Sequence, residues 1–238
     1  MITRIKLGAI PVDVELKDIK NIHLSVYPPN GAVRISAPRR MDLDTIRVYA
    51  ITKLGWIKQQ QKKLRAQERE PPREYLNRES HYVWGRRYLL QVIECDEPPL
   101  VELKHNKMVV RVRPGADEGK KQAIVEAWYR AELRKAAAPL IAKWEPLLDV
   151  RVERLFIQRM KTKWGSCNTG TGCIRLNTEL AKKPLECLEY IVVHELTHLI
   201  VRRHDDRFVT LVSGCLPHWK ELRQKLNSAP LSHERWNY

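Results

Sequence analysis

The chain has 238 residues, 43% hydrophobic and 30% charged, with 43 Lys and Arg against 28 Asp and Glu. That balance excludes an intrinsically disordered chain, and no apolar run approaches the ~20 residues that span a bilayer, so no membrane partner is expected. The formal charge of +15 attracts polyanions at long range, which keeps nucleic acid, nucleotides and acidic protein segments open as partners.

The opening residues, MITRIKLGAIPVDVELK, lack the apolar core of a signal peptide, and a cytoplasmic location is expected. From there the first forty residues alternate in the manner of half-buried strands. Val12, Val14 and Leu16 form one set, Ile22, Leu24 and Val26 a second, Val33 and Ile35 a third. PPNG at 28–31 reads as a hairpin turn in which Gly31 takes a positive φ. After Pro38 the period lengthens: Leu43, Ile46, Ala50, Leu54, Ile57 and Leu64 predict one amphipathic helix over 42–64. The polar stretch QEREPPREYLNRES is a connector.

Strands return in HYVWGRRYLLQVIE, LVELK and MVVRVR, the last two joined at HNK. The segment 117–148 is helical, with acidic residues in its first turn, and Pro139 is expected to bend or interrupt it. VERLFIQRM and CIRLN are strands on either side of the loop NTGTG, and Gly165 reads as a turn residue. PLECLEYIVVHELTHLIV follows as a helix with Pro184 in its first turn. Two further helical segments begin near Asp205 and Pro217, separated at Gly214. No internal repeat is visible. The class is α+β: a strand-rich region over 1–115, then a mainly helical region over 116–238 with a small antiparallel sheet. The five scattered cysteines, at 95, 167, 173, 187 and 215, read as reduced thiols.

The chemistry lies in IVVHELTHLIVRRHDD at 191–206. Positions i and i+4 share a helix face, so His194 and His198 can aim imidazole nitrogens at one centre about 2 Å from each. Glu195, rotated about 100° from His194, falls outside the ligand set but within reach of a water held by a metal. That is the division of labour in His-Glu-x-x-His: two neutral ligands and one carboxylate base. Burying four such groups without a shared task would be costly. A third ligand is needed, and His204, Glu221 and His218 are candidates. His204 is favoured because its spacing and the end of the helix agree, with Asp205 and Asp206 poised to start the next one. The His194-to-His204 spacing equals that of the metzincins, but Val201 stands where their turn glycine belongs and no methionine follows Met160. Metzincin membership is rejected, and the chain must turn by another backbone path. Zinc is the expected ion, although such a site also accepts manganese or nickel.

The segment KTKWGSC at 161–167 borders the predicted hairpin just before the metal helix. An edge strand there can pair with an extended substrate, and Arg159, Lys161, Lys163 and Arg175, with Trp164, are candidates for contact with substrate or transition state. The stretches RMKTKWGSCN, IRLN and YIVVHELTHLIVRRHDDRFVTLV together resemble the YgjP-like metal-dependent hydrolases, related in design to SprT-like proteins. The resemblance covers most of the chain and is strongest over 155–227. It implies a zincin-type catalytic region with zinc on His194, His198 and His204 and Glu195 as base. Val209 departs from it, since the family commonly has Trp after Phe208. Three functions follow as expectations: a zinc metallopeptidase first, a metal-dependent nucleoside-triphosphate pyrophosphatase second, and a nucleic-acid-associated protein of a larger complex third.

Overall fold

The computed structural model describes residues 2–27, 31–66, 74–160 and 163–228. The early alternation forms β2 (Ile10–Lys17), β3 (His23–Tyr27) and β4 (Ala32–Pro38), preceded by β1 (Ile2–Leu7). Apolar alternation alone does not flag β1, because only Ile5 and Leu7 of it are buried. A two-residue turn at Gly8 (φ +60°) joins β1 to β2. β3 and β4 pair antiparallel, and Gly31 takes the expected positive φ of +74°; residues 28–30 of that turn lie outside the described residues. The two hairpins meet through a parallel β2–β4 pair, giving the order β1-β2-β4-β3.

The helix expected over 42–64 is two helices, α1 (Leu43–Thr52) and α2 (Leu54–Ala66). The break falls at Lys53, whose φ of −98° and ψ of 3° let its N–H donate back to the carbonyls of Ala50 and Ile51. Asp42 caps α1 by accepting from the Thr45 N–H. Ile46, Ala50 and Ile57 pack with Val12, Val14, Val33 and Ile35 in one core.

The next four strands repeat the arrangement. β5 (Ser80–Val83) and β6 (Arg86–Glu94) form a hairpin, β7 (Leu100–Lys104) and β8 (Lys107–Val112) another, and β6 runs parallel to β8. The order β5-β6-β8-β7 matches the first sheet strand for strand, an internal repeat that the sequence does not display. α3 (Glu118–Leu148) then runs unbroken through Pro139. The lost hydrogen bond falls on the carbonyl of Lys135; both residues are exposed, so water can replace the missing donor. On the other face Val125, Tyr129, Leu133, Ala137, Ile141, Trp144 and Leu148 are buried.

A third sheet has the order β10-β11-β9, from β9 (Arg154–Gln158), β10 (Gly165–Asn168) and β11 (Cys173–Asn177). β10 and β11 are the expected antiparallel hairpin, but β9 runs parallel to β11, so the sheet is mixed. A short 3₁₀ segment (Thr178–Lys182) leads to α4 (Leu185–Ile200), α5 (Asp206–Cys215) and α6 (Trp219–Ser228). Gly214 lies inside α5; the break comes at 216–218 instead. All five cysteines are free thiols.

The described residues divide into two compact units, one over 2–66 and the other over 74–228. This differs from the expected division at 115/116. The reason is packing: Val83, Leu90, Met108 and Val110 of the second sheet share a core with Leu133 of α3 and Leu188 of α4. Among the described residues no helix is long and apolar enough to cross a membrane.

Candidate metal centre

α4 is buried on nearly every side, with Cys187, Leu188, Ile191, Val192, Val193 and Leu196 all in the core. Its start is held by the second sheet. The N–H groups of Trp84 and Gly85, in the β5–β6 turn, donate to the carbonyls of Ala181 (2.9 Å) and Lys182 (3.2 Å) in the 3₁₀ segment. From α3, Lys143 and Trp144 Nε1 both donate to Glu189 Oε1, at 2.7 and 3.0 Å. The helix that carries the histidines is thus fixed from two elements.

It ends at Val201, whose extended backbone (φ −129°, ψ 112°) replaces the glycine turn of the metzincins. The Val201 N–H donates to the Thr197 carbonyl, and its own carbonyl lies 3.1 Å from His198 Nδ1. A proton on Nδ1 leaves Nε2 as the free lone pair, the tautomer a metal ligand needs. The chain then turns back through His204, and Asp205 starts α5 by accepting from the Phe208 N–H.

His194, His198 and His204 bring one nitrogen each to within 4.8 Å of one another. His194 Nε2 and His204 Nε2 are 3.0 Å apart. The Phe208 ring packs on all three imidazoles, with centroid separations of 4.9, 4.8 and 4.7 Å. Burial, the neighbouring His198 and His204, and then Arg223 push His194 down to about 3. Burial likewise lowers His198. Imidazole nitrogens converging on one point are a donor set for a divalent transition metal. Among the described residues no other group of three His, Cys, Asp or Glu converges in this way.

Glu195 is 4% exposed. Burial pushes its carboxyl up to about 7, against the opposing pull of the Lys163 ammonium. Its Oε1 lies where a side chain on Gly165 would begin: a Cβ there would sit 2.6 Å from Oε1 and 2.8 Å from Cγ. Gly165 is therefore not a turn residue. It opens strand β10, and only the absence of a side chain lets the carboxylate rest against it.

These groups line a cavity of about 580 Å³. Of the residues singled out in the sequence, Lys163 and Trp164 reach it, together with Glu195 and the three histidines. Arg159 does not; it pairs with Glu126 at 3.6 Å. Arg175 does not either, its guanidinium lying 5.5 Å from the Phe156 ring. Lys161 lies outside the described residues. His218 and Glu221 are not among the lining residues, nor is Val209. Sequence reasoning missed Arg223 and Tyr190, which line the cavity; Tyr190 stands one turn before His194, a signal that was legible. It also missed Asn177, whose Nδ2 donates to the carbonyls of Met160 and Lys163, both at 2.8 Å, tying the segment before β10 to β11.

The family model of the YgjP-like metallopeptidase domain matches residues 20–229. A search of curated proteins finds no match. Among solved structures, the metallopeptidase zymogen abylysin of Pyrococcus abyssi is 22% identical over 38% of this chain and 90% of its own, with a TM-score of 0.36. The zymogen jannalysin of Methanocaldococcus jannaschii is 23% identical over 38% of this chain and 92% of its own, with a TM-score of 0.35. A metallopeptidase family implies a divalent metal, and the histidine cluster is the group able to hold one.

Proposed function

The chain belongs to the YgjP-like metallopeptidase family, and from that membership we propose that it is a zinc-dependent peptidase in which His194, His198 and His204 hold the ion and Glu195 is the general base. The observation that carries the reading is the seat of Glu195: a buried carboxylate against Gly165, beside three imidazoles whose nitrogens converge. A bound zinc ion supplies Lewis acidity for the scissile carbonyl and lowers the pKa of a water molecule. Glu195 takes up a proton at its carboxylate oxygens and returns it to the leaving amine. Its proton affinity near 7 suits a base working at neutral pH.

Two features favour a peptide over a nucleotide. β10 is the edge strand of its sheet and lines the cavity with Gly165, Ser166 and Cys167, so an extended substrate can add to it. Phosphoanhydride hydrolysis assisted by magnesium needs oxygen ligands, and Glu195 is the one carboxylate among the lining residues. Glu195→Gln is expected to retain zinc in elemental analysis while hydrolysis of an unfolded protein falls by roughly 10²–10⁴. His204→Ala is expected to lose the ion. Undiminished hydrolysis by Glu195→Gln would sink the mechanism.

A further inference from the structure

Every charged side chain lining the catalytic cavity, Glu195 apart, belongs to a basic residue. Lys163 comes from the segment before β10, Arg202 from the turn after α4 and Arg223 from α6, and all three are exposed. Among the described residues none of them makes an ion pair with a carboxylate, whereas several exposed cations elsewhere do: Lys143 with Glu189, Arg4 with Asp13, Lys225 with Glu186. Glu195 is nearly inaccessible and imidazoles carry no negative charge. The cavity therefore meets an incoming chain with positive charge alone, and a divalent ion adds to it.

The cations bear on different parts of the centre. Lys163 acts on Glu195 and His198, while Arg223 acts on His194 and Tyr190. Lys163 is also held in place, since its carbonyl accepts from Asn177 Nδ2 at 2.8 Å. Cations on three separate elements suit carboxylates spaced along an extended chain better than one compact triphosphate, which is typically cradled by clustered backbone N–H groups.

We propose that the cavity selects acidic peptide segments, with Asp or Glu side chains on either side of the cleaved bond held by Lys163 and by Arg223 with Arg202. This rests on the peptidase reading and gives it a substrate class. The test uses zinc-loaded Glu195→Gln protein and two labelled decapeptides, identical except for Glu or Gln at the positions flanking the central bond. Fluorescence anisotropy is expected to show the Glu peptide binding about tenfold more tightly, an advantage that shrinks as salt is raised. Adding Lys163→Gln and Arg223→Gln is expected to abolish the difference. Equal binding of the two peptides overturns the proposal. So does a preference that survives the double substitution, which would assign acid binding to the ion alone. ATP binding more tightly than either peptide overturns it in favour of a nucleotide site. Cleavage of the same pair by the unsubstituted enzyme separates the two readings. Equal cleavage rates leave the peptidase standing and remove the specificity, while charge-selective binding without cleavage does the reverse.

Discussion

The two four-stranded sheets share one strand order and one parallel central pair, yet they serve different ends. The first closes a core with α1 and α2, and its β1–β2 turn is open at Gly8, where a Cβ would find no atom within 4 Å. The corresponding turn of the second sheet docks on the 3₁₀ segment through two backbone hydrogen bonds, and a Cβ on Gly85 would sit 2.9 Å from the Pro184 ring. Tyr129 of α3 adds a bond from its hydroxyl to the Tyr82 carbonyl at 2.8 Å. The same topology closes a core with two short helices in one unit and forms the bed of the histidine-bearing helix α4 in the other. Strand order alone therefore says little about function; what the hairpin ends touch says more.

The largest effect is expected where the second unit brings backbone against the chemistry. Gly165→Ala adds no strain of its own, since Gly165 does not lie at positive φ, but it drives Glu195 from its seat. Displacing a base by about 1 Å costs on the order of 10²-fold in turnover. The expected outcome is a kcat reduced by about that factor, with the ion retained and a stability loss of ~1–3 kcal/mol from the overpacking. Wild-type turnover in the variant would mean that the β10 backbone does not position the base.

That residue also shows what could be read in advance. His194, Glu195 and His198 were legible because helical period and ligand chemistry coincide in five consecutive letters. His204 was separable from His218 and Glu221 by spacing, together with Asp205 as a cap. Gly165 was not legible, because a glycine needed for close approach looks like a glycine needed for a turn. Arg223 was hidden by distance, since it lies on α6, two helices after the one that carries His194 and His198. The hairpins were visible in local alternation, but the parallel β2–β4 and β6–β8 pairs join strands that are not neighbours in sequence, and nothing local encodes them. Pro139 misled for a related reason. The rule that proline breaks helices assumes that the orphaned carbonyl has no other partner, and here it belongs to an exposed residue that water can reach.

A matched pair of substitutions probes the two turns directly. Gly8→Ala and Gly85→Ala both force a side chain into positive φ, +60° and +79° respectively, at a cost of about 1 kcal/mol. Only Gly85→Ala also overpacks, against Pro184, for a further ~1–3 kcal/mol. Urea denaturation is expected to separate the variants by that amount, with hydrolysis reduced in Gly85→Ala alone. Equal losses would break the contrast between a free turn and a docked one.

The smallest effect concerns charge at the same seam. Both units hold a carboxyl below its ordinary range. Asp42 is lowered by the backbone N–H of Thr45 and then by the Thr45 hydroxyl, but it is solvent-exposed at a helix start where Asn caps about as well. Glu179 lies in the 3₁₀ segment that receives the β5–β6 turn. Burial raises its proton affinity, but the Lys182 ammonium, 2.8 Å from both carboxylate oxygens, with Arg159 and Lys183, outweighs burial and holds the group below the ordinary 4.5. A carboxyl depressed in the folded state contributes stability that is fully present above its unfolded pKa and is lost as pH falls through the folded value. Glu179→Gln is therefore expected to be less stable than wild type at neutral pH and to converge with it as pH drops below 4.5, while Asp42→Asn matches wild type at neutral pH and gains on it as the Asp42 carboxyl protonates. Thermal melts across that range read the difference. Parallel curves for Glu179→Gln and wild type would show that the seam under α4 gains nothing from this ion pair, leaving the backbone hydrogen bonds of Trp84 and Gly85 to hold the second sheet to the 3₁₀ segment ahead of the histidine-bearing helix.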